Sequence, residues 1–398
     1  MAIDTPAKLA ILGAGPIGLE AALYARFLGY DVVILERGEV AQSVRRWGHL
    51  RMFTPFGQSC SPLGLAAIAA QDESYQPPAA DELLTGHDWA DRYLLPLSQT
   101  DLLADHLRLG STVLAVGKEE LLKGEMAGNP DRGDWGFRIL VGDSAGGERV
   151  EIVDAVLDCT GVFDQPNWLG PGGTPALGEL ALRSAIEYRL PDLLGRDRAT
   201  YAGRHTLVIG GGDSATTNVV ALARLAREAP GTRVTWITRR EGPARGGPLA
   251  VGLAGSPAER ERLAAEANRL AAEAEGCVTY LLATSVESLT RDAAGQTWQV
   301  ELSGRHAGQQ AFDQLIANVG FRPDYSMLGE LQFQPPGNGG PTSLVGSEPN
   351  FYVLGCKSHG RRSGYRFSDG LAQIRELFAI LGDRPSLDLY STAYRLPR

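Results

Sequence analysis

At 398 residues the chain is longer than one hydrophobic core usually supports, so two domains are expected. A hydrophobic fraction of 43% with 21% charged residues is ordinary for a folded soluble protein. The net charge of −9 repels phosphate backbones and anionic lipid, which argues against nucleic acid and membrane surfaces as partners.

The first residues, MAIDTPAK, precede a short apolar run with no cleavage-site pattern, so the expected location is the cytoplasm. The run Leu9–Leu12 reads as a strand buried on both faces. Gly13, Gly15 and Gly18 follow with GxGxxG spacing and open a helical pattern through Ala22, Leu23 and Phe27. The next strand, DVVILE, closes on Glu36, 23 residues after Gly13. The three glycines differ in what they permit. Gly13 allows a tight turn, Gly15 lets backbone approach a pyrophosphate, and Gly18 lets helix and strand pack closely. The helix N-terminus offers free N–H groups to phosphate, and a carboxylate at Glu36 can accept the hydroxyls of a ribose. Strand, glycines, helix, strand and acid in that order predict a dinucleotide cradle.

Residues 41–100 are rich in Pro, Gly and aromatics and read as a long excursion over a cofactor. STVLAVGK, WGFRILVG and ERVEIVDAVLDCTG then read as two alternating strands and a buried strand ending at Gly161.

The plan repeats from His205. Strand residues 206–209 run into Gly210, Gly212 and Ala215, a GxGxxA variant in which Ala serves for helix packing. The strand after this helix, RVTWIT, ends on Arg239 and Arg240 instead of an acid. Two guanidiniums at this point favour a ribose 2′-phosphate, so the second cradle is expected to prefer NADPH. SPAERERLAAEANRLAAEAEG opens with Ser256, Pro257 and Glu259, a capping-box start. With Leu263, Ala267, Leu270 and Ala274 as its apolar stripe, it reads as a solvated crossover helix whose Ala richness would also suit a homodimer face. A second β-rich triplet ends at Gly320.

The last segment has a strand at Phe351–Leu354, a glycine-rich loop and a helix from about Ser368. That strand needs a sheet to join. The expected architecture is α/β, with two Rossmann-like dinucleotide-binding domains in three-layer ββα form. A nucleotide domain, 166–315, is inserted in a discontinuous first domain, 1–165 and 316–398. Cys60, Cys159, Cys277 and Cys356 are far apart with no CxxC, so neither a disulfide framework nor a metal site is expected.

Four places, GAGPIG with Glu36, DCTG at 158–161, GGGDSA with Arg239–Arg240, and the terminal glycine strand before a helix, make the chain resemble the FAD and pyridine-nucleotide oxidoreductases with two dinucleotide-binding domains. The likeness is closest to bacterial flavin-containing monooxygenase-like proteins. It implies that the first cradle holds FAD and the second NADPH, because hydride must pass from a nicotinamide to a flavin held beside it. By this resemblance Gly13, Gly15, Pro16, Ile17, Gly18, Glu36 and Arg37 would contact the FAD ADP moiety, and Val113 would meet the adenine. Thr160 and Gly161 match a turn near the cofactor. Arg46, Trp47, His49 and Arg51 lie in a stretch that runs along FAD, and Gly355 and Cys356 end the terminal strand near the flavin. Gly210, Gly212, Asp213, Ser214, Ala215, Arg239 and Arg240 would hold NADPH.

Two departures bear on the chemistry. The terminal strand of this superfamily usually ends Gly-Asp, and here it ends Gly355–Cys356, leaving Lys357, Ser358 or backbone N–H groups to hold the flavin. An FxGxxxHxxxW signature is also missing before the second cradle. The overall likeness implies a monooxygenase that uses O2, through a flavin C4a-hydroperoxide, on an amine, sulfur or carbonyl of a small molecule. The alternative is a reductase of a disulfide, quinone or iron–sulfur protein. A third reading is a sensor that binds both cofactors without turnover. Cys356, Lys357 and His359 are the candidate catalytic residues.

Overall fold

The computed structural model describes residues 3–240, 248–252, 255–273, 276–335 and 344–393. It divides into two compact units, residues 1–165 with 322–398, and residues 166–321.

The first unit opens with β1 (Lys8–Leu12), α1 (Pro16–Phe27) and β2 (Asp31–Leu35). Pro16 starts α1, where its fixed φ suits the helix and its missing N–H goes unneeded. Gly29, at φ +90°, ends the turn after the helix. The excursion 41–100 is partly helical: Gln42–Arg45, α2 (Pro62–Gln71), and a run from Gly86 to Ser98. Trp89, Tyr93, Leu94 and Leu97 from that run are buried, so the segment builds core as well as crossing the surface. After it come β3 (Leu107–Arg108), a meander of β4 (Ser111–Lys118), β5 (Phe137–Asp143) and β6 (Glu148–Val153), and then β7 (Ala155–Asp158).

The second unit repeats the plan with β8 (His205–Ile209), α3 (Asp213–Glu228), β9 (Arg233–Ile237), α4 (Ala258–Ala272) and β10 (Val278–Leu281). Its meander is β11 (Thr284–Arg291), β12 (Trp298–Gly304) and β13 (Gly308–Phe312), followed by β14 (Gln314–Ala317). The parallel sheet runs β10-β9-β8-β14. Because β14 pairs with β8 in register Gln314–Thr206 through Ala317–Ile209, residues 316–321 fall in this unit and not in the first. The expected capping box at α4 is not formed. Its N-cap is Pro257, and no side chain caps it, because the helix begins at Ala258, too late for Ser256 to reach the free N–H groups. Ala264, Ala267 and Leu270 are buried in the core that α4 shares with α3, so the helix is packed as well as solvated. Ala274 lies outside the described residues.

The chain then returns to the first unit with β15 (Phe351–Val353) and α5 (Phe367–Leu381). β15 pairs with β7, completing a parallel sheet in the order β15-β7-β1-β2-β3. The two ends of the inserted stretch lie side by side: Pro166 bridges Phe321, and the Arg322 N–H donates to the Gln165 carbonyl at 2.8 Å.

Alternation sets the three layers of each unit. Leu9, Ile11, Val32, Ile34 and Leu157 face the helices, whereas Ala10, Leu12, Val33, Leu35 and Val156 face the meander. In the second unit Val208, Val234 and Trp236 pack on α3 and α4, while Leu207, Ile209 and Ile237 pack on β11–β13. A sheet covered on both faces needs apolar residues at every position, which is why these strands read as unbroken hydrophobic runs.

Candidate functional site: two glycine cradles

In the first cradle Gly13 sits at φ +99°, and its N–H donates to the Leu35 carbonyl at 2.8 Å. A Cβ on Gly18 would collide with the Gly13 carbonyl oxygen, so helix and turn touch there. A Cβ on Gly15 would meet nothing within 4 Å. The three glycines thus divide as a pyrophosphate cradle requires: one bends, one packs, and the one between faces open space at the mouth of α1. Glu36 ends the next strand, its carboxylate accepting the Ala14 and Gly38 N–H groups, each at 2.8 Å. Those bonds fix the carboxylate against the turn and use two of its roughly four acceptor positions, which leaves acceptors for ribose hydroxyls.

The rim comes from three segments. Ala41 donates its N–H to the Ala14 carbonyl at 3.0 Å, seating the helix Gln42–Arg45 on the glycine turn. Arg46 follows and pairs with Asp164 at 2.5 Å, and Arg37 pairs with the same carboxylate. Burial alone would raise the Asp164 carboxyl, but the two guanidiniums hold it below its ordinary value. Sequence reasoning misses Asp164, because an acid just beyond the stretch matched to the cofactor turn carries no signal of its own. Trp47 packs against the backbone of Gly86, His49 is half-buried, and Arg51 is exposed in a bridge to Thr85. Val113 lies at the irregularity of β4, two residues after Ser111, whose N–H donates to the Glu36 carbonyl at 2.8 Å.

The loop after β15 closes on this cradle. Gly355, at φ +74°, packs beside Ile17 of α1, and the Cys356 sulfur lies beside Gly161. Lys357 turns inward. Its Nζ donates to Asp158 at 2.6 Å and to the Thr160 hydroxyl at 2.9 Å, and both charged side chains are buried. Thr160 in turn donates its hydroxyl and N–H to Asp158. Ser358 donates to the Gly355 carbonyl, and the His359 ring meets Tyr365 edge-on at 5.0 Å. Lys357 and Ser358, expected as replacements for the usual terminal Asp, therefore spend their polar atoms inside the protein.

All four thiols are pushed up by burial, Cys60 to about 12. For Cys356 backbone N–H groups and Lys357 oppose burial without overcoming it. A raised thiol stays protonated and unreactive at neutral pH.

The second cradle repeats the first. Gly210 sits at φ +139°, where a Cβ would strike the Asn318 carbonyl oxygen. A Cβ on Gly212 would meet nothing within 4 Å, and Ala215 is fully buried. Asp213 and Ser214 form the first turn of α3. Arg239 and Arg240, after β9, are exposed and have no side-chain partner among the described residues.

Two Rossmann-like domains, the second inserted in the first and each with a glycine cradle, are the fold of the FAD- and pyridine-nucleotide-dependent disulphide oxidoreductase-like flavoproteins, a class that includes flavin monooxygenases. FAD and NADP(H) are the cofactors of that class. The pyridine nucleotide-disulphide oxidoreductase family matches residues 10–118. A ferredoxin–NADP reductase of Ralstonia nicotianae is 30% identical over 233 residues, covering 58% of this chain and 50% of that protein. The chain spans about half the length of the curated relatives it matches. Among solved structures, the bacillithiol disulfide reductase of Bacillus cereus superposes with a TM-score of 0.67 at 17% identity, covering 95% of this chain and 99% of that one. The cadaverine monooxygenase of the desferrioxamine pathway of Erwinia amylovora gives 0.66 at 13% identity, covering 96% and 95%. No helix among the described residues is long and apolar enough to cross a membrane.

Proposed function

We propose that this chain is an NADPH-dependent FAD oxidoreductase that delivers electrons to an iron–sulfur protein or another non-thiol acceptor. The observation that carries the cofactor reading is the repeated turn, a bent glycine and an open glycine in each unit, followed by a close-packed Gly18 in the first and a fully buried Ala215 in the second. Gly15, the α1 N-terminus and Glu36 would hold the FAD pyrophosphate and ribose, and Gly212, the α3 N-terminus and Arg239–Arg240 would hold NADPH. FAD bound there would supply the redox chemistry that links a two-electron hydride donor to the acceptor.

The residues by the first cradle favour some acceptors over others. Burial raises the Cys356 and Cys159 thiols, which disfavours the thiolate that exchange with a disulfide requires. The relatives named ferredoxin–NADP reductase support the iron–sulfur reading. Oxygenation of a small molecule rests on overall likeness alone.

The test is anaerobic and aerobic turnover of FAD-loaded protein with NADPH. Rapid reduction of a ferredoxin without O2 supports the proposal. NADPH oxidation that requires O2 and yields an oxygenated amine or sulfide would replace it with the monooxygenase reading.

A further inference from the structure

Helix α4 brings a cation to the second cradle. Arg260, in its first turn, places Nε 3.1 Å from the Asp213 carboxylate, the residue that opens α3 directly after Gly212. The same guanidinium reaches Ser256 Oγ at 3.4 Å and lies 3.7 Å from Glu261. Only about a fifth of the Arg260 side chain is exposed (22%), so its position is constrained by packing.

An acid at this place has two opposed effects. Asp213 suits the positive end of the α3 dipole. It also sets a negative charge beside the open position at Gly212, where the two charges of a dinucleotide pyrophosphate would lie. Left unpaired, it would repel them through a few ångströms of partly desolvated space.

We propose that Arg260 is a positioning residue of the second cradle: it neutralises and orients Asp213 so that the cradle accepts a dinucleotide pyrophosphate. This rests on the reading of that cradle as the nucleotide site. Arg260 then serves the part that NADPH and NADH share, whereas Arg239 and Arg240 serve the 2′-phosphate.

The experiment is equilibrium binding of NADP+ and of NAD+ to FAD-loaded protein, followed by calorimetry. Arg260→Met weakens both nucleotides by about tenfold, the size expected of one like charge newly exposed to the phosphates. Arg260→Lys, which keeps the charge, stays within about threefold of the parent, and Asp213→Asn/Arg260→Met recovers to the same range because the repulsion is gone. Unchanged NADP+ binding in Arg260→Met, a loss confined to NADP+, or a double variant as weak as Arg260→Met overturns the inference and leaves the site reading intact. A parent protein that binds neither nucleotide overturns the site reading and the inference together.

Discussion

Lys357 and Asp158, 199 residues apart in sequence, meet at 2.6 Å with neither side chain more than 1% exposed. This buried pair, with Thr160 as its third member, joins the end of β7 to the loop after β15 and so fixes Gly161, Gly355 and Cys356 beside one another. Removing one partner strands the other charge in the interior. Lys357→Met or Asp158→Asn should each cost about 3–5 kcal/mol in urea unfolding. Lys357→Met with Asp158→Leu should recover most of that loss, since no charge is left to desolvate. A single variant of parent stability would show that water reaches the pair.

The glycines of the first cradle should separate binding from folding. Gly15→Val places its side chain in open space, so thermal stability should stay close to the parent while FAD is lost. Gly18→Val drives the side chain into the Gly13 carbonyl, and the protein should lose its fold before its cofactor can be assayed. Flavin absorbance and melting temperature measured on the same preparations check both.

Arg239 and Arg240 should select the nucleotide. Replacing both with Ala should raise KM for NADPH by more than about a hundredfold, since two charged contacts worth about 1.5–3 kcal/mol each are lost, and should barely move KM for NADH. Equal effects on the two would assign them to solvent.

Glu20, in α1 just behind the first cradle, gives stability a pH dependence. Its side chain is fully buried, with one oxygen accepting the Tyr93 hydroxyl at 2.5 Å, and burial lifts its pKa from the ordinary 4.5 to about 7. Below about pH 4.5 both folded and unfolded chains hold the proton. Between that point and pH 7 only the folded chain does, so stability falls as pH rises, by about 3 kcal/mol in all. Glu20→Gln should abolish this fall and be the more stable protein at pH 8, as chemical denaturation at several pH values would report.

Cys356 should be replaceable. A thiol held neutral by burial contributes packing and a weak hydrogen bond, both of which Ser supplies in large part. Cys356→Ser should keep NADPH-driven flavin reduction within about threefold of the parent in stopped flow. Collapse of that rate with FAD still bound would restore a thiol mechanism.

Both cradles are legible in the sequence because their physics is local: the turn, the open position and the helix start lie within a few residues, and the strands betray themselves by unbroken apolar runs. The duplication is legible for the same reason, since each half repeats strand, glycines, helix and meander in order. What depends on distant pairing is not. Nothing near Lys357 in sequence points to Asp158, and nothing in GCKSH says that the lysine turns inward to the carboxylate. Arg260 is hidden likewise, in a helix that reads as a solvated crossover, and Asp164 is hidden just beyond the cofactor turn with no signal of its own. The boundary expected near 316 falls too early because β14 declares its partner, β8, only through a ladder formed across more than 100 residues of chain.

The neighbouring ends of residues 166–321 make that stretch a cassette. With Gln165 and Arg322 already hydrogen-bonded, the surrounding unit meets almost no loop-closure penalty for carrying it, whatever its length. On the reading proposed above, a gene in which a few glycines replace the cassette would encode a flavin carrier of about three-fifths the present length, and the excised piece, closed the same way, a free-standing nucleotide receptor. An enzyme assembled so can exchange its electron donor by swapping one continuous piece of DNA.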